Sequence, residues 1–209
     1  MSDFWVFGYG SLIWQPGFPY EEAVRAELTG FHRALCIFST LYRGSSASPG
    51  LVFGLDAGGF CNGMAFRVAP ANVALTIAYL REREQVTGVY RAEMRLVRLE
   101  GIGGQRVRAL TFVANRQHRQ YARRLALSKQ VEIVRAGHGV SGANADYVRT
   151  TAQHLRALEI RDRSMERMVV LLGRGGGGEA RPQPYRRRLV PRLPTPQALR
   201  CGYMRNLVL

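Results

Sequence analysis

The chain has 209 residues, of which 46% are apolar, and this suits one globular domain or one domain with an appendage. It has no run of about 18 apolar residues and no basic segment ahead of an apolar one at its N-terminus, so the sequence predicts neither a membrane span nor secretion. A net charge of +15 would ordinarily indicate nucleic-acid binding, but much of the excess lies after residue 172 and the rest is spread along the chain, which weakens that interpretation.

The first half of the chain predicts strands and one helix. Apolar segments bounded by Gly or Pro are typical of short strands, and they occur at Trp5–Gly8, Arg33–Phe38, Leu51–Leu55 and Asn62–Val68. Pro70 suits the first turn of a helix that runs through Leu80.

The second half predicts a hairpin followed by helices. Strands Val89–Leu99 and Gln105–Val113 are joined across Gly101–Gly104. Helical segments follow at Ser128–Ala136, with Ser128 as the N-cap, at about Asn144–Leu158 and at Asp162–Leu172. Strands that precede most of the helices favour an α+β fold.

The composition changes after Leu172. Residues 173–209 contain four consecutive glycines, several prolines and eight arginines against one glutamate. Such a segment buries too little apolar surface to offset the entropy of ordering it. We therefore expect a domain over 1–172 and a flexible basic tail over 173–209, which is either a dispensable extension or a contact for nucleic acid or a membrane surface.

The segment from Trp5 to Trp14 carries the most specific pattern. Bulky apolar residues at 5–7 predict a strand, and Gly8, Gly10 and Ser11 then interrupt it. Glycines permit a positive φ and a close backbone approach, so the loop can present successive N–H groups to an anion. The spacing alone equally fits a strand with a tight turn, and it matches neither a Walker loop nor a dinucleotide-binding fingerprint.

Two carboxylates near the end of the first helix differ in their helical phase. At about 100° per residue, Glu84 lies about 20° from Val73 on the apolar stripe, whereas Glu82 lies about 180° away on the solvated face. If the helix continues beyond Leu80 to Glu84, Glu84 points inward at its C-terminal end, where burial and the helix dipole both raise its pKa. The pattern fits a general acid/base, and it also fits a salt bridge to an arginine across the fold.

The run Val6-Phe7-Gly8-Tyr9-Gly10-Ser11-Leu12-Ile13-Trp14 closely resembles the opening of the ChaC family of γ-glutamylcyclotransferases. The resemblance spans about residues 4–165 and continues at Tyr42-Arg43-Gly44, at Leu80–Tyr90 and from Gly137 to Tyr147. It refines the α+β prediction to a small mixed β-barrel flanked by helices. The stretch between Glu84 and Gly88 is longer than in eukaryotic-type sequences, which leaves Glu82 as an alternative in the alignment, but the helical phase favours Glu84.

The resemblance implies an enzyme that cleaves glutathione to 5-oxoproline and Cys-Gly, acting as a cytoplasmic monomer without a metal or redox cofactor. Glu84 is then the general acid/base. The substrate-binding residues that it implies are Val6, Phe7, Gly8, Tyr9, Gly10, Ser11, Arg43 and Tyr147. From the residues alone, Arg43 equally fits a surface ion pair, and Tyr147 also fits the core because it shares an apolar helical stripe.

Two further features bear on the class of protein. Cys36, Cys61 and Cys201 lack C-x-x-C spacing, and we interpret them as free thiols in a reducing cytoplasm. The alternative function from another class is a basic protein that binds nucleic acid or an acidic surface through its arginines. Such binding would be salt-sensitive and indifferent to Glu84.

Overall fold

The computed structural model describes residues 3–84, 87–101 and 103–173, in which five strands close into a barrel flanked by four α-helices. The barrel strands are β1 (Phe4–Gly8), β2 (Glu22–Ser39), β3 (Gly50–Val68), β4 (Tyr90–Leu99) and β5 (Arg106–Ala114). The helices are α1 (Val73–Glu84), α2 (Leu127–Ala136), α3 (Asn144–Ala157) and α4 (Arg163–Gly173). The predicted barrel with flanking helices is confirmed. The predicted tail beyond Gly173 and Cys201 lie outside the described residues.

The strand order around the barrel is β1-β3-β2-β4-β5. Strand β5 closes it by pairing in parallel with β1, where Val6 lies opposite Leu110, and it also meets β3 in parallel at one position. The remaining barrel pairings are antiparallel. The barrel is therefore mixed, and it brings the C-terminal end of β1 close to β3 and β5.

Strands β2 and β3 are much longer than predicted. The two predicted strands at 51–55 and 62–68 are parts of one continuous strand, which passes through Gly58 and Gly59 at φ values of 102° and 71°. Strand β2 begins at Glu22 rather than near Arg33. The missed half does alternate, because Ala26 and Leu28 are buried while the charged residues before each of them, Arg25 and Glu27, are not. This is the period-two pattern of a strand with one buried face.

The predicted helices are present, although several of their ends differ from the predictions. Pro70–Asn72 forms a short 3-10 turn, and α1 then continues to Glu84, beyond the predicted end at Leu80. Ser128 is not an N-cap: α2 begins one residue earlier, at Leu127, and the extended residue Ala126 holds the capping position. The extra turn at the end of α1 is important because it fixes Glu84 as the last residue of a helix.

One main apolar core joins the barrel to the helices. Helices α2 and α3 pack against β3, and α3 also packs against α4. The largest fully buried side chains include Phe7, Phe112, Leu28, Leu51, Leu55 and Leu155. In the described part of the chain, no helix is both long enough and apolar enough to cross a membrane.

Candidate active site

A cavity of about 320 Å³, counting the open space at its mouth, lies beside the loop that follows β1. Its walls come from this loop, the start of β3, the end of α1, the start of β4 and the first turn of α3. The lining residues are Tyr9, Gly10, Ser11, Leu12, Phe53, Glu84, Tyr90 and Tyr147. The barrel and helices thus bring together residues that are far apart in the sequence.

The loop after β1 turns at once into a short 3-10 turn, Ser11–Ile13. As its first residues, Ser11 and Leu12 have backbone N–H groups with no acceptor inside the turn, so these groups can bind an anion. Gly8 and Gly10 do not have the positive φ that the sequence allowed. Gly8 is required for space, because a Cβ there would lie 2.9 Å from the Cβ of Leu12.

Tyr9 anchors this loop to the core. Its hydroxyl donates to the carbonyl of Phe112 at 2.8 Å, and its own carbonyl accepts the Nε–H of Arg33 at 2.5 Å. Burial, and then the nearby charge of Glu84, raise the pKa of the Tyr9 phenol well above its ordinary value. The phenol of Tyr9 therefore stays protonated, and its proton is already donated to Phe112. Tyr9 thus contributes to the shape of the cavity rather than a free hydrogen-bond donor.

Glu84 projects into the cavity from the C-terminal end of α1. Its side chain is 17% exposed, whereas Glu82 is exposed to solvent, so the orientation predicted from helical phase is confirmed. Burial raises the pKa of Glu84, and the neighbouring Arg83, whose Nε lies 3.0 Å from Oε1, opposes this rise. The salt bridge considered as an alternative is also present, but its arginine is the adjacent residue rather than one across the fold.

Tyr147 reaches the cavity because Asn144 docks α3 onto the barrel. The fully buried side chain of Asn144 accepts from the N–H of Leu51 at 2.6 Å and donates to its carbonyl at 2.7 Å, so it pairs with β3 as another strand would. One turn later, the Tyr147 hydroxyl accepts the N–H of Phe53 at 3.4 Å. Burial raises the pKa of Tyr147 to about 12, so its phenol keeps its proton at neutral pH.

Tyr90 and Phe53 line the cavity although sequence reasoning did not select them. The Tyr90 hydroxyl donates to the carbonyl of Phe53 at 2.7 Å, and the Phe53 ring packs at 5.4 Å from the ring of Tyr147. The sequence offered a reason to select Tyr90, because this residue ends the Gly88-x-Tyr90 segment that resembles the ChaC family. It offered no reason to select Phe53, because an apolar residue in a buried strand is expected whether or not a cavity adjoins it.

Arg43 lies behind Tyr147 rather than on the cavity wall. Its guanidinium is 5.3 Å from the centre of the Tyr147 ring, and Nη1 donates to the carbonyl of Ser141 at 2.5 Å. The Arg43 carbonyl is packed so closely that a Cβ on Gly50 or Gly137 would lie 2.1 or 2.7 Å from it. The motifs around Arg43 therefore build one compact support for the Tyr147 side of the cavity.

The three remaining candidates belong to the barrel wall. Val6, Phe7 and Gly8 pair with β3, and the side chains of Val6 and Phe7 are fully buried. They do not line the cavity, but they fix the strand from which the loop leaves. Cys36 and Cys61 are both free, as the sequence predicted, and both are buried.

The cavity combines a buried carboxylate with several hydrogen-bond donors. Glu84 can accept and return a proton, while Ser11, Tyr147 and the backbone of the loop can bind a polar substrate. Across the described ranges, no group of three or more His, Cys, Asp or Glu is placed to hold a metal ion. The arrangement suits general acid/base chemistry on a small polar molecule.

Comparison with known proteins gives the family. The ChaC-like protein family model matches residues 4–174. The glutathione-specific gamma-glutamylcyclotransferase of Escherichia coli (strain K12) is 31% identical over 166 residues, which is 79% of this chain and 71% of that protein. The glutathione-specific gamma-glutamylcyclotransferase 1 of Homo sapiens is 32% identical over 157 residues, 73% of this chain and 69% of that protein.

The fold has a solved counterpart as well. A crystal structure of a gamma-glutamyl cyclotransferase specific to glutathione from yeast has a TM-score of 0.75 with 20% sequence identity, covering 83% of this chain and 97% of that one. At this identity the likeness concerns the fold. Together with the sequence matches over most of its length, it leads to one conclusion: the chain belongs to the ChaC-like protein family.

Proposed function

We propose that this protein is a γ-glutamylcyclotransferase that cleaves glutathione to 5-oxoproline and Cys-Gly. The observation that carries the proposal is the position of Glu84, a buried carboxylate with a raised pKa that faces the Ser11 loop within one cavity. The relatives from Escherichia coli and Homo sapiens, both named as glutathione-specific gamma-glutamylcyclotransferases, support the choice of substrate.

The proposed reaction needs only proton transfer and orientation. The α-amine of the substrate attacks its own γ-carbonyl carbon, which closes a five-membered ring. Because the nucleophile is part of the substrate, a bound and oriented molecule has already lost much of the entropic barrier. Glu84 takes the proton that the attacking nitrogen loses and passes it to the departing cysteine nitrogen as the γ-amide C–N bond breaks. A raised pKa suits a group that must both accept and return a proton near neutral pH.

The substrate's α-carboxylate would bind at the start of the 3-10 turn. Backbone N–H groups of Ser11 and Leu12, with the Ser11 hydroxyl, are donors of the type that such an anion needs. The Tyr147 phenol, which also lines the cavity, is a further donor. Arg43 would contribute through its charge and by holding the Tyr147 ring, while Val6, Phe7 and Gly8 would support the loop.

We also propose a compartment, an oligomeric state and a domain boundary for the enzyme. Free, buried Cys36 and Cys61 are consistent with a reducing cytoplasm. We propose a monomer whose catalytic domain covers residues 1–172, with residues 173–209 as an appended tail. Light scattering of the full chain tests the first point, and the turnover of a chain ending at residue 172 tests the second.

The direct test is incubation of the purified protein with glutathione, with 5-oxoproline and Cys-Gly followed by mass spectrometry. We expect turnover by the wild type and by Glu82→Gln, whose carboxylate is exposed on the other face of the helix. Glu84→Gln should fold normally and lose about 100-fold to 10,000-fold in kcat, the usual contribution of a general acid/base.

Two outcomes would contradict the proposal. No product from folded wild-type protein would exclude glutathione as the substrate, and other γ-glutamyl amines would then be assayed. Full activity in folded Glu84→Gln would place the acid/base on another residue. Circular dichroism of each variant separates these results from a failure to fold.

A further inference from the structure

Arg83 connects the two sides of the cavity that the proposed reaction uses. Its side chain is 19% exposed, and its Nε lies 3.0 Å from Oε1 of Glu84. Its Nη2 donates to Oγ of Ser11 at 2.9 Å, and its Nη1 donates to the carbonyl of Gln15 at 2.5 Å and to the Tyr79 hydroxyl at 2.9 Å. One guanidinium therefore contacts the carboxylate of α1, the hydroxyl of the loop and the chain that follows it.

These contacts determine which atoms of Glu84 and Ser11 remain available to a substrate. The bond from Nη2 uses a lone pair of the Ser11 oxygen, which leaves the hydroxyl hydrogen to be donated elsewhere. The contact with Nε uses Oε1 of Glu84 and leaves Oε2 to exchange a proton. Nε and Nη2 lie on one edge of a rigid planar group, so the separation between their two partners is fixed as well.

We infer that Arg83 is a positioning residue, which holds the base Glu84 and the substrate-binding hydroxyl of Ser11 in a fixed relation across the cavity. The inference rests on the proposed function, since it takes the roles of Glu84 and Ser11 from there. It adds a residue that does not line the cavity itself and acts through two residues that do, Glu84 and Ser11.

The effect of the Arg83 charge on the Glu84 pKa distinguishes a residue that positions Glu84 from one that only holds the loop in place. The positive charge of Arg83 opposes the rise in the Glu84 pKa that burial causes. Removing the charge leaves burial unopposed, so the pKa of Glu84 rises further. A larger fraction of Glu84 is then protonated at a given pH, and the acidic limb of the kcat/KM profile moves to higher pH. Loss of a tether alone would lower activity without moving that limb.

The experiment compares Arg83→Gln, Arg83→Lys and the control Arg81→Gln, whose arginine is exposed two residues earlier on α1. We expect Arg83→Gln to lose about 100-fold in kcat, the order of loss that a displacement of about 1 Å produces in a catalytic site. Its acidic limb should move to higher pH. Arg83→Lys keeps the charge but not the planar fork, so its limb should stay near the wild-type position while kcat remains low. Arg81→Gln should behave as the wild type.

A titration that does not depend on turnover keeps this test separate from the proposed function. The carboxyl carbon of Glu84 is followed by ¹³C NMR against pH in the wild type and in Arg83→Gln, with Glu84→Gln to assign the signal. An upward shift of the Glu84 pKa in Arg83→Gln supports the inference even if glutathione proves not to be the substrate. An unchanged titration, or a wild-type pH–activity profile in Arg83→Gln, overturns it even if glutathione is cleaved.

If Arg83→Gln does not fold, Arg83→Lys, which keeps the positive charge, still allows the inference to be tested. If Arg83 acts through Ser11, the double variant Ser11→Ala/Arg83→Lys loses little more activity than the worse of its two single variants, because both changes remove the same contact. Fully independent losses in the folded double variant would overturn the inference.

Discussion

Two arginine–carboxylate pairs of the molecule have equally exposed carboxylates but different surroundings. In the first, Arg33 donates to Asp162 at 2.5 Å and also to the carbonyls of Tyr9 and Asn62 at 2.5 and 2.6 Å. The other oxygen of Asp162 accepts the N–H of Met165 at 3.0 Å, so Asp162 caps the N-terminus of α4. Both partners of this pair are thus held by several hydrogen bonds, and the carboxylate lies at the favourable end of a helix dipole.

The second pair joins Arg83 to Glu84. The Glu84 side chain is 17% exposed, the same fraction as for Asp162. However, Glu84 lies at the C-terminal end of α1, where the helix dipole disfavours a negative charge. Within the described residues, Arg83 is the donor to its carboxylate, and burial raises the Glu84 pKa.

The difference shows that burial alone does not decide what an ion pair does. A carboxylate with several donors at a helix N-terminus, such as Asp162, serves as an anchor between the elements that it joins. A carboxylate with fewer donors at a helix C-terminus keeps an affinity for a proton and can take part in acid/base chemistry. The two pairs should therefore respond to substitution in opposite ways.

The largest effect on stability is expected from Asp162→Asn. The substitution keeps the size of the side chain but leaves Arg33, which is 3% exposed, without its compensating charge. Breaking one side of a buried pair costs about 3–5 kcal/mol, and we expect the lower end of this range because Asp162 retains some contact with solvent. Urea denaturation of the wild type and of the variant measures this loss directly.

The matched control is Asp146→Asn, which removes a carboxylate from the exposed pair with Arg149. An exposed pair of this type contributes about 1 kcal/mol or less. A loss for Asp162→Asn no larger than that of the control would contradict the assignment of the Arg33 pair as an anchor.

A smaller effect, on substrate binding rather than stability, is expected from Tyr147→Phe. With its pKa raised to about 12, the Tyr147 phenol is a donor at neutral pH, and the cavity is where it can donate. Loss of one hydrogen bond to a charged substrate group is worth about 1.5–3 kcal/mol, so we expect KM to rise at least about tenfold, with a smaller change in kcat. Steady-state kinetics with glutathione measures both constants.

Tyr121→Phe is the control for this prediction. The Tyr121 hydroxyl donates to Asp56 at 2.9 Å, and neither residue lines the cavity. An equal rise in KM for both variants would mean that the effect on Tyr147→Phe does not arise from contact with the substrate.

The sequence contained enough information for the position of the base but not for its surroundings. Glu84 could be placed because helical phase is a local property, set by the residues from Val73 onward. Arg83 could be seen only as a neighbour of Glu84, because its contact with Ser11 joins residues 72 positions apart. The Arg33–Asp162 pair spans 129 positions and was missed for the same reason.

A similar limit applies to the strands. The strand signals at 51–55 and 62–68 were real, but the segment between them, which contains Gly58 and Gly59, was not assigned to a strand. In a barrel such glycines let a long strand curve. Whether the two halves form one strand depends on their pairing with β2, which runs alongside both of them. Local composition predicts where apolar residues are buried, whereas continuity depends on the partner strand.

The smallest predicted effect concerns Glu84 and stability, and its sign is opposite to that for Asp162. The Glu84 pKa is higher in the folded protein than its ordinary value of 4.5. Between the ordinary pKa and the raised one, the folded state holds more protons than the unfolded state, so stability falls as pH rises through this window. Above the window the penalty is fully present, and below it the penalty vanishes.

Glu84→Gln removes the charge that carries this penalty. We therefore expect the variant to melt above the wild type at neutral pH, by no more than about 4 °C for a protein of this size. The advantage should shrink as the pH is lowered to about 4, because wild-type Glu84 then becomes neutral as well. Differential scanning calorimetry of both proteins from about pH 4 to about pH 8 provides the measurement. A difference that is constant with pH would mean that folding does not shift the Glu84 pKa. A difference that increasingly favours the wild type as the pH rises would mean that Glu84 is stabilised as a charge. A higher melting temperature in a catalytically inactive variant would instead mark Glu84 as a group that the fold holds at some loss of stability.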